Sequence, residues 1–452
     1  MLPPRLPARP RWPAGFLRPR SAAIVALAAL VLSPLPALAP AAAADPKPNV
    51  VLILTDDQRW DTIGRCLNGF DGTVLATNSD SCMPFLQQRL IDSGTTFTRG
   101  YVTTSQCCPS RAAILTGQYG RHNGVLVNQG FPNFVDTNTL ATWLDEAGYR
   151  TGLMGKYLNG YGEVNGGTPT NYVPPGWDSW HAFWGVPTQT QYSLVEKDPG
   201  AAAVTNSYSG TTTAPTPCAP NTVYLTDRLC RKALDFLQAD TTSPFFLYWA
   251  PFSPHAPTVP PSRWAGTYSG VATPQYPNYN AAPSPNPPTV VPISPLSPQV
   301  LSQQTTRFRQ SLEMNRAVDD AIEQFYQQLS ADGRLSNTVF IFMSDNGFSF
   351  GEHRWTDKAC AWEECHRVPF VVSCPTTVCP GAIPDQVDST HIVLNIDLAP
   401  TIAAWAGTTP KLRVDGMNLA PLLGGGAPPW RDRFLIEDQQ LLEAKGPNGI
   451  LS

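Results

Sequence analysis

The sequence predicts an α/β fold, a large, mostly parallel sheet sandwiched by helices. Three observations carry that expectation. Aliphatic and aromatic runs at 49–54, 244–250 and 338–343 have the composition of strands buried on both faces. Helical and extended patterns alternate between them, the order of repeated βαβ units. Two of the runs also end in acids, Thr55-Asp56-Asp57 and Ser344-Asp345-Asn346-Gly347, as expected where such a sheet presents ligands at its carboxyl edge.

In chain order, strand 49–54 leads into the paired acids Asp56 and Asp57. Adjacent carboxylates repel unless a cation lies between them, and hard oxygen ligands suit calcium or magnesium; taken alone, the pair reads equally as a solvated turn. Segments 85–91 and 140–147 read as helices, and 95–102 and 149–154 as strands. The last of these runs into Gly155-Lys156-Tyr157-Leu158-Asn159, which puts Lys156 at the same edge as the acids. A helix at 223–238 precedes strand 244–250, after which His255 is bracketed by prolines on a constrained loop that suits a positioned acid or base. Residues 266–299, dense in Pro, Ser, Asn and Tyr, read as a long surface loop. A helix at 305–329 follows, with Leu312, Val318, Ile322, Phe325 and Leu329 on its apolar face and Asp319 and Asp320 expected on its solvated face. Strand 338–343 brings Asp345 and Asn346, so two strand ends can converge on one metal. Beyond it come Glu352, His353 and Lys358 in a loop, His366 ahead of a strand at 368–372, and a helix opening at 395 and closing at Ala406-Gly407.

Composition narrows the class. The chain has 452 residues, a net charge of −4 and no basic block, which gives no support to nucleic-acid binding. Its 47 prolines are about twice the usual share of roughly 5%. Five arginines, an apolar stretch at 22–32 and small residues up to Ala44 read as a secretory signal over 1–44. The apolar stretch is shorter than the roughly 20 residues a stable membrane span requires. Ten cysteines fit an oxidising compartment, and eight fall into the locally spaced pairs Cys66 and Cys82, Cys218 and Cys230, Cys360 and Cys365, and Cys374 and Cys379, read as disulfides.

The other two cysteines lie in Ser105-Gln106-Cys107-Cys108-Pro109-Ser110-Arg111. Pro109 suits the first turn of a helix, whose free amides favour an anion beside Cys107. With Arg111 near, the thiol is expected to have a lowered pKa. Cys-x-Pro-Ser-Arg followed by Leu115-Thr116-Gly117 resembles the signature of the sulfatases. The other pieces fall in that family's order over about 48–437, which implies an alkaline-phosphatase-like fold and a catalytic domain at 45–437. A short stretch at 438–452 would then be what remains of a reduced or truncated C-terminal subdomain.

The resemblance implies that Cys107 is converted by a formylglycine-generating enzyme to formylglycine, whose hydrate is the nucleophile. It places one calcium ion on Asp56, Asp57, Asp345, Asn346 and the oxygen at position 107. It assigns sulfate binding to Lys156 and Lys358, a share of the neutralising positive field to Arg111, and protonation of the leaving oxygen to His255. The chain departs from many arylsulfatases at Leu158, where they carry a histidine; Lys156-Tyr157-Leu158-Asn159 is closer to the N-acetylglucosamine-6-sulfatase branch, with Asn159 or His122 as substitutes. The implied activity is hydrolysis of sulfate monoesters of amino sugars or aryl alcohols by a secreted enzyme. The neighbouring readings are a phosphate or phosphonate ester hydrolase, a binding protein without turnover, and a cysteine-histidine hydrolase using Cys107 and His255.

Overall fold

The computed structural model describes residues 47–64, 81–162, 171–282, 294–383 and 385–438, together with the backbone of 445–446 and 449–450. The signal segment 1–44, most of 438–452, and Cys66 with its expected bridge to Cys82 lie outside them.

The strands are β1 (Asn49–Thr55), β2 (Thr95–Phe97), β3 (Gly100–Tyr101), β4 (Arg150–Gly155), β5 (Ser179–Phe183), β6 (Gln191–Lys197), β7 (Val204–Ser209), β8 (Phe245–Ala250), β9 (Thr338–Ser344), β10 (Phe370–Ser373), β11 (Gln386–Asp388) and β12 (Val393–Leu394). Ten of them form one sheet in the order β11-β2-β10-β9-β1-β8-β4-β5-β6-β7. Its centre, β9-β1-β8-β4-β5, is wholly parallel. Antiparallel pairs appear on both sides, through β10 on one and β6 and β7 on the other.

Burial on both faces explains the unbroken apolar strands. Along β1, Val50, Leu52 and Leu54 enter one core cluster while Val51 and Ile53 enter the other. The first core also takes Ile114 and Leu115, Leu140 and Leu144, and Leu398 and Ile402, from three helices on that face. The second takes Leu229 and Phe236 from helix Leu225–Ala239, and Leu312, Ile322 and Phe325 from helix Pro298–Ala331. The mostly parallel helix-covered sheet is therefore present, with the parallel strands at its heart.

Local expectations shift in several places. The extended segment 95–102 is two strands, broken by a turn at Thr98 and Arg99, and β3 pairs with β12 outside the main sheet. The long helix begins at Pro298, inside the stretch read as loop, with Ser297 capping it through Val300 N. β5, β6 and β7 were not anticipated; β7 in particular is mostly exposed and polar, so no apolar period marks it. The bridges Cys218–Cys230, Cys360–Cys365 and Cys374–Cys379 are formed.

The expected solvated face at Asp319 and Asp320 is a correction. Asp319 is 3% exposed and accepts hydrogen bonds from the amides of Phe85 (3.0 Å) and Leu86 (2.7 Å), joining two helices. Asp320 pairs with Arg263 at 2.7 Å and accepts from Trp264 Nε1. A helical period identifies which face a residue occupies but not whether a loop from elsewhere covers it.

Burial pushes the Asp319 carboxyl up to about 7 against the lowering effect of those two amides. The folded chain thus keeps a proton that an unfolded aspartate releases near 3.9. That contribution to stability is complete below about pH 4 and disappears as the pH rises to about 7. Thermal denaturation at pH 5 and pH 8 is expected to show the wild type losing more stability than Asp319→Asn, by up to about 1.4 kcal/mol per pH unit below the folded pKa. Parallel curves would remove Asp319 as the titrating group.

Candidate active site

The site lies where β1, β4, β8 and β9 end together. Asp56 and Asp57 follow β1, Lys156 follows β4, the loop after β8 carries His255, and Asp345 and Asn346 follow β9. This is the carboxyl edge that a parallel sheet offers to ligands. Helix Cys107–Thr116 points its first residue at the same place, and every side chain of its ten residues is buried. Two backbone features hold the arrangement. Gly155 has φ +127°, and a Cβ there would lie 1.9 Å from the Ala250 carbonyl oxygen, so only glycine lets β4 deliver Lys156 against β8. Asp57 sits at φ 66°, a left-handed conformation that is strained for a non-glycine residue and is held by the surrounding bonds.

Three carboxylates and their cations interlock here. Asp56 accepts from Lys156 Nζ at 2.6 Å and lies 3.7 Å from Arg111. Asp57 accepts from Lys358 Nζ (2.5 Å) and from Asn346 Nδ2 (2.7 Å) on the same oxygen. Its other oxygen lies 3.7 Å from His255 Nε2. Asp345 accepts from Arg111 Nε at 2.8 Å, and Arg111 also donates to the Lys156 carbonyl. Burial pushes the Asp56 carboxyl up, yet Lys156, His255, Arg111 and Lys358 together hold it well below the usual carboxylate range. Asp57 is likewise lowered, with Lys358 and His255 overcoming its burial. Asp345 goes the other way, to about 6, because burial outweighs Arg111 and Asp56 repels it.

Cys107 is 1% exposed. Its Sγ faces Asp56 Oδ1 at 3.4 Å and receives Lys358 Nζ at 2.8 Å. The expectation of a lowered thiol pKa is overturned: burial, then Asp56, push it up to about 12 against Lys156 and Lys358. The helix terminus and the nearby cations are present, but the carboxylate beside the sulfur and the loss of water outweigh them. As an unmodified thiol, Cys107 stays protonated at neutral pH and is a poor nucleophile.

His255 is oriented from behind. Its Nδ1 lies 2.6 Å from the Ala256 carbonyl, which can only accept, so Nδ1 carries hydrogen and Nε2 faces the site. Burial lowers its pKa, opposed by Asp57 and Asp56.

The carboxylate oxygens of Asp56 and Asp57, Cys107 Sγ and a His255 ring nitrogen lie within 4.8 Å of one another. Asn346 Oδ1 is buried with no hydrogen-bond partner among the described residues. A buried acceptor left open beside three carboxylates is the donor chemistry a hard cation takes.

A family model described as Sulfatase matches residues 48–408. The chain belongs to the sulfatase family. Human N-acetylglucosamine-6-sulfatase is 31% identical over 88% of this chain and 68% of its own length. The Drosophila melanogaster extracellular sulfatase SULF-1 homolog is 30% identical over 86% of this chain, which spans only 33% of that longer protein. Among solved structures, BT4656 in complex with its substrate D-glucosamine-2-N,6-O-disulfate superposes with a TM-score of 0.65 at 22% identity, covering 85% of this chain and 82% of that one. The sulfatase fold, mostly parallel sheet included, is thus common to both.

Nine sequence-predicted site residues, Asp56, Asp57, Cys107, Arg111, Lys156, His255, Asp345, Asn346 and Lys358, come together at this sheet edge. Of the two substitutes for the histidine absent at Leu158, His122 is excluded, since its side chain is 44% exposed and pairs with Asp415 at 2.7 Å. Asn159 lines the cavity beside Lys156, Leu158 and His255. His353 stacks on Trp362 with ring centroids 4.4 Å apart, and His366 is buried against the Val102 carbonyl. Sequence reasoning missed Arg307, whose Nη2 lies 3.8 Å from Asp57 Oδ2. No motif marks it, because its place depends on where the long helix crosses the sheet edge. It also missed Asp438, which accepts from Ser105 Oγ at 2.6 Å and Gln106 Nε2 at 2.8 Å and so braces the turn before Cys107.

Calcium added to metal-free protein is expected to raise Tm, by the equivalent of about 2.7 kcal/mol at a hundredfold excess over Kd. Asp57→Asn is expected to remove that rise. Identical melting of the wild type with calcium and with chelator would exclude the cluster as a metal site.

Proposed function

We propose that this chain is a secreted sulfatase that hydrolyses sulfate monoesters of amino sugars or aryl alcohols. The observation that carries the reading is the meeting of Cys107 with Asp56, Asp57, Asp345, Asn346 and three fixed cations at one buried sheet edge. Export is supported by the composition of residues 1–44 and by the extracellular description of the fly relative. Among the described residues no helix is long and apolar enough to cross a membrane.

Asp56, Asp57, Asp345 and Asn346, with an oxygen at position 107, would hold calcium, which supplies positive charge against the sulfuryl oxygens. Conversion of Cys107 to formylglycine, carried out by a formylglycine-generating enzyme, supplies a hydrate oxygen as nucleophile where the protonated thiol cannot serve. The remaining roles belong to the chain itself. Lys156 and Lys358 face position 107 and bind the sulfuryl oxygens, neutralising charge that would repel the attack. Arg111 fixes Asp345 and, through the Lys156 carbonyl, the strand end that carries Lys156. His255, its Nδ1 held by the Ala256 carbonyl, presents Nε2 to the site; in the imidazolium form, which Asp57 and Asp56 favour, that nitrogen also carries a proton and gives it to the departing alcohol oxygen.

Mass spectrometry of the peptide containing Cys107, paired with chromogenic assays of sulfate, phosphate and phosphonate esters, tests the reading. The expected result is a loss of about 18 Da at Cys107 with sulfate ester hydrolysis dominant. An intact thiol at Cys107 in protein from its own host, or faster turnover of phosphate esters, would overturn it. His255→Gln is expected to lower kcat by about 10²- to 10⁴-fold, and by less on aryl sulfates whose phenol leaves readily without a proton. An equal loss across leaving groups would remove His255 as the acid.

A further inference from the structure

Position 107 and the lysines account for the sulfuryl end of a substrate, and the mouth of the site bears on its other end. A cavity of about 340 Å³ opens beside His255, walled by Trp184, Phe252, Leu158 and Asn159. Its size suits one ring-sized group.

Arg307 stands apart from the other cations at this centre. The side chains of Arg111, Lys156 and Lys358 are 0, 8 and 13% exposed, and each donates hydrogen bonds to a buried carboxylate. Arg307 is 25% exposed, and among the described residues its guanidinium donates no hydrogen bond. Its approach to Asp57 Oδ2 is 3.8 Å, longer than a hydrogen bond. The guanidinium carbon lies 3.9 Å from the Phe348 ring centre, which fixes its plane. A partly exposed guanidinium, stacked on Phe348 and with donors free, is suited to a planar or tetrahedral anion.

Position decides which anion. Asp57 Oδ1 faces inward, to Lys358 and Asn346, whereas Oδ2 is approached by both His255 and Arg307. Arg307 and His255 therefore share one side of Asp57. On the sulfatase reading His255 marks where the alcohol departs, so the group within reach of Arg307 belongs to the alcohol half. We propose that Arg307 binds a second anionic group, sulfate or carboxylate, carried by the alcohol half of the substrate, and so selects multiply charged sulfate esters. This rests on the sulfatase reading above.

The test measures kcat/KM for 4-nitrophenyl sulfate, for N-acetylglucosamine 6-sulfate and for glucosamine 6-sulfate bearing a further sulfate at N2 or O3. Wild type, Arg307→Gln and Arg307→Lys are compared, with Kd for the two kinds of sugar measured by calorimetry in the Cys107→Ser background. The wild type is expected to favour a disulfated sugar. Arg307→Gln is expected to cut its kcat/KM about 10- to 100-fold more than that of the monosulfated sugar, the Lys variant restoring part of the loss and Kd moving in parallel. Equal losses on all three substrates would place Arg307 on the sulfuryl group or in the fold and overturn the proposal. Failure of the wild type to release sulfate from any substrate would sink the sulfatase reading instead, and the Kd comparison would still decide Arg307.

Discussion

Three carboxylates buried together at one sheet edge dominate this molecule. Asp56, Asp57 and Asp345 are each no more than 5% exposed, and a low-dielectric setting makes their mutual repulsion severe. The surroundings answer it with Lys156, Lys358 and Arg111, each brought from a different element. Because those cations arrive from β4, from the loop after β9 and from the helix at Cys107, the acid cluster ties the sheet edge together as well as defining its chemistry. The high Asp345 pKa and the open Asn346 oxygen mark where that neutralisation is incomplete.

The same field disfavours a thiolate at position 107. A helix N-terminus and two ammonium groups stabilise a thiolate, while desolvation and Asp56 oppose it, and the opposing effects win. A pocket built to gather an anionic ester around hard oxygen donors is a poor one for sulfur chemistry. On the proposed sulfatase reading, replacement of the thiol by an oxygen nucleophile would reconcile position 107 with its neighbours. It also separates this site from a cysteine-histidine hydrolase, which requires the thiolate that Asp56 suppresses.

Precision comes from the layers behind the contacts. The Ala256 carbonyl sets the His255 tautomer, the close approach of Gly155 to Ala250 sets Lys156, and Asp438 braces Ser105 and Gln106 ahead of Cys107. Asp438, at the start of the stretch expected as a C-terminal remnant, has its bonds beside the helix that opens at Cys107.

By itself the sequence determined the parallel core and which residues stand at its edge. Strands buried on both faces must be apolar throughout, and residues at their carboxyl ends must converge, so the placing of Asp56, Asp57, Asp345, Asn346 and Lys156 was readable from local pattern, while their expected roles came from the sulfatase resemblance. The Cys107 to Arg111 run is equally local, since one helical turn places both residues. What only the tertiary structure decided depends on distant segments meeting. The polar strand β7 has no period of its own, Asp319 is buried by a helix more than 200 residues away in sequence, and the Cys107 thiol pKa is raised by burial and then by Asp56 from another element. Arg307 reaches Asp57 only because the long helix crosses the sheet edge at that point, and no spacing along a chain encodes a crossing.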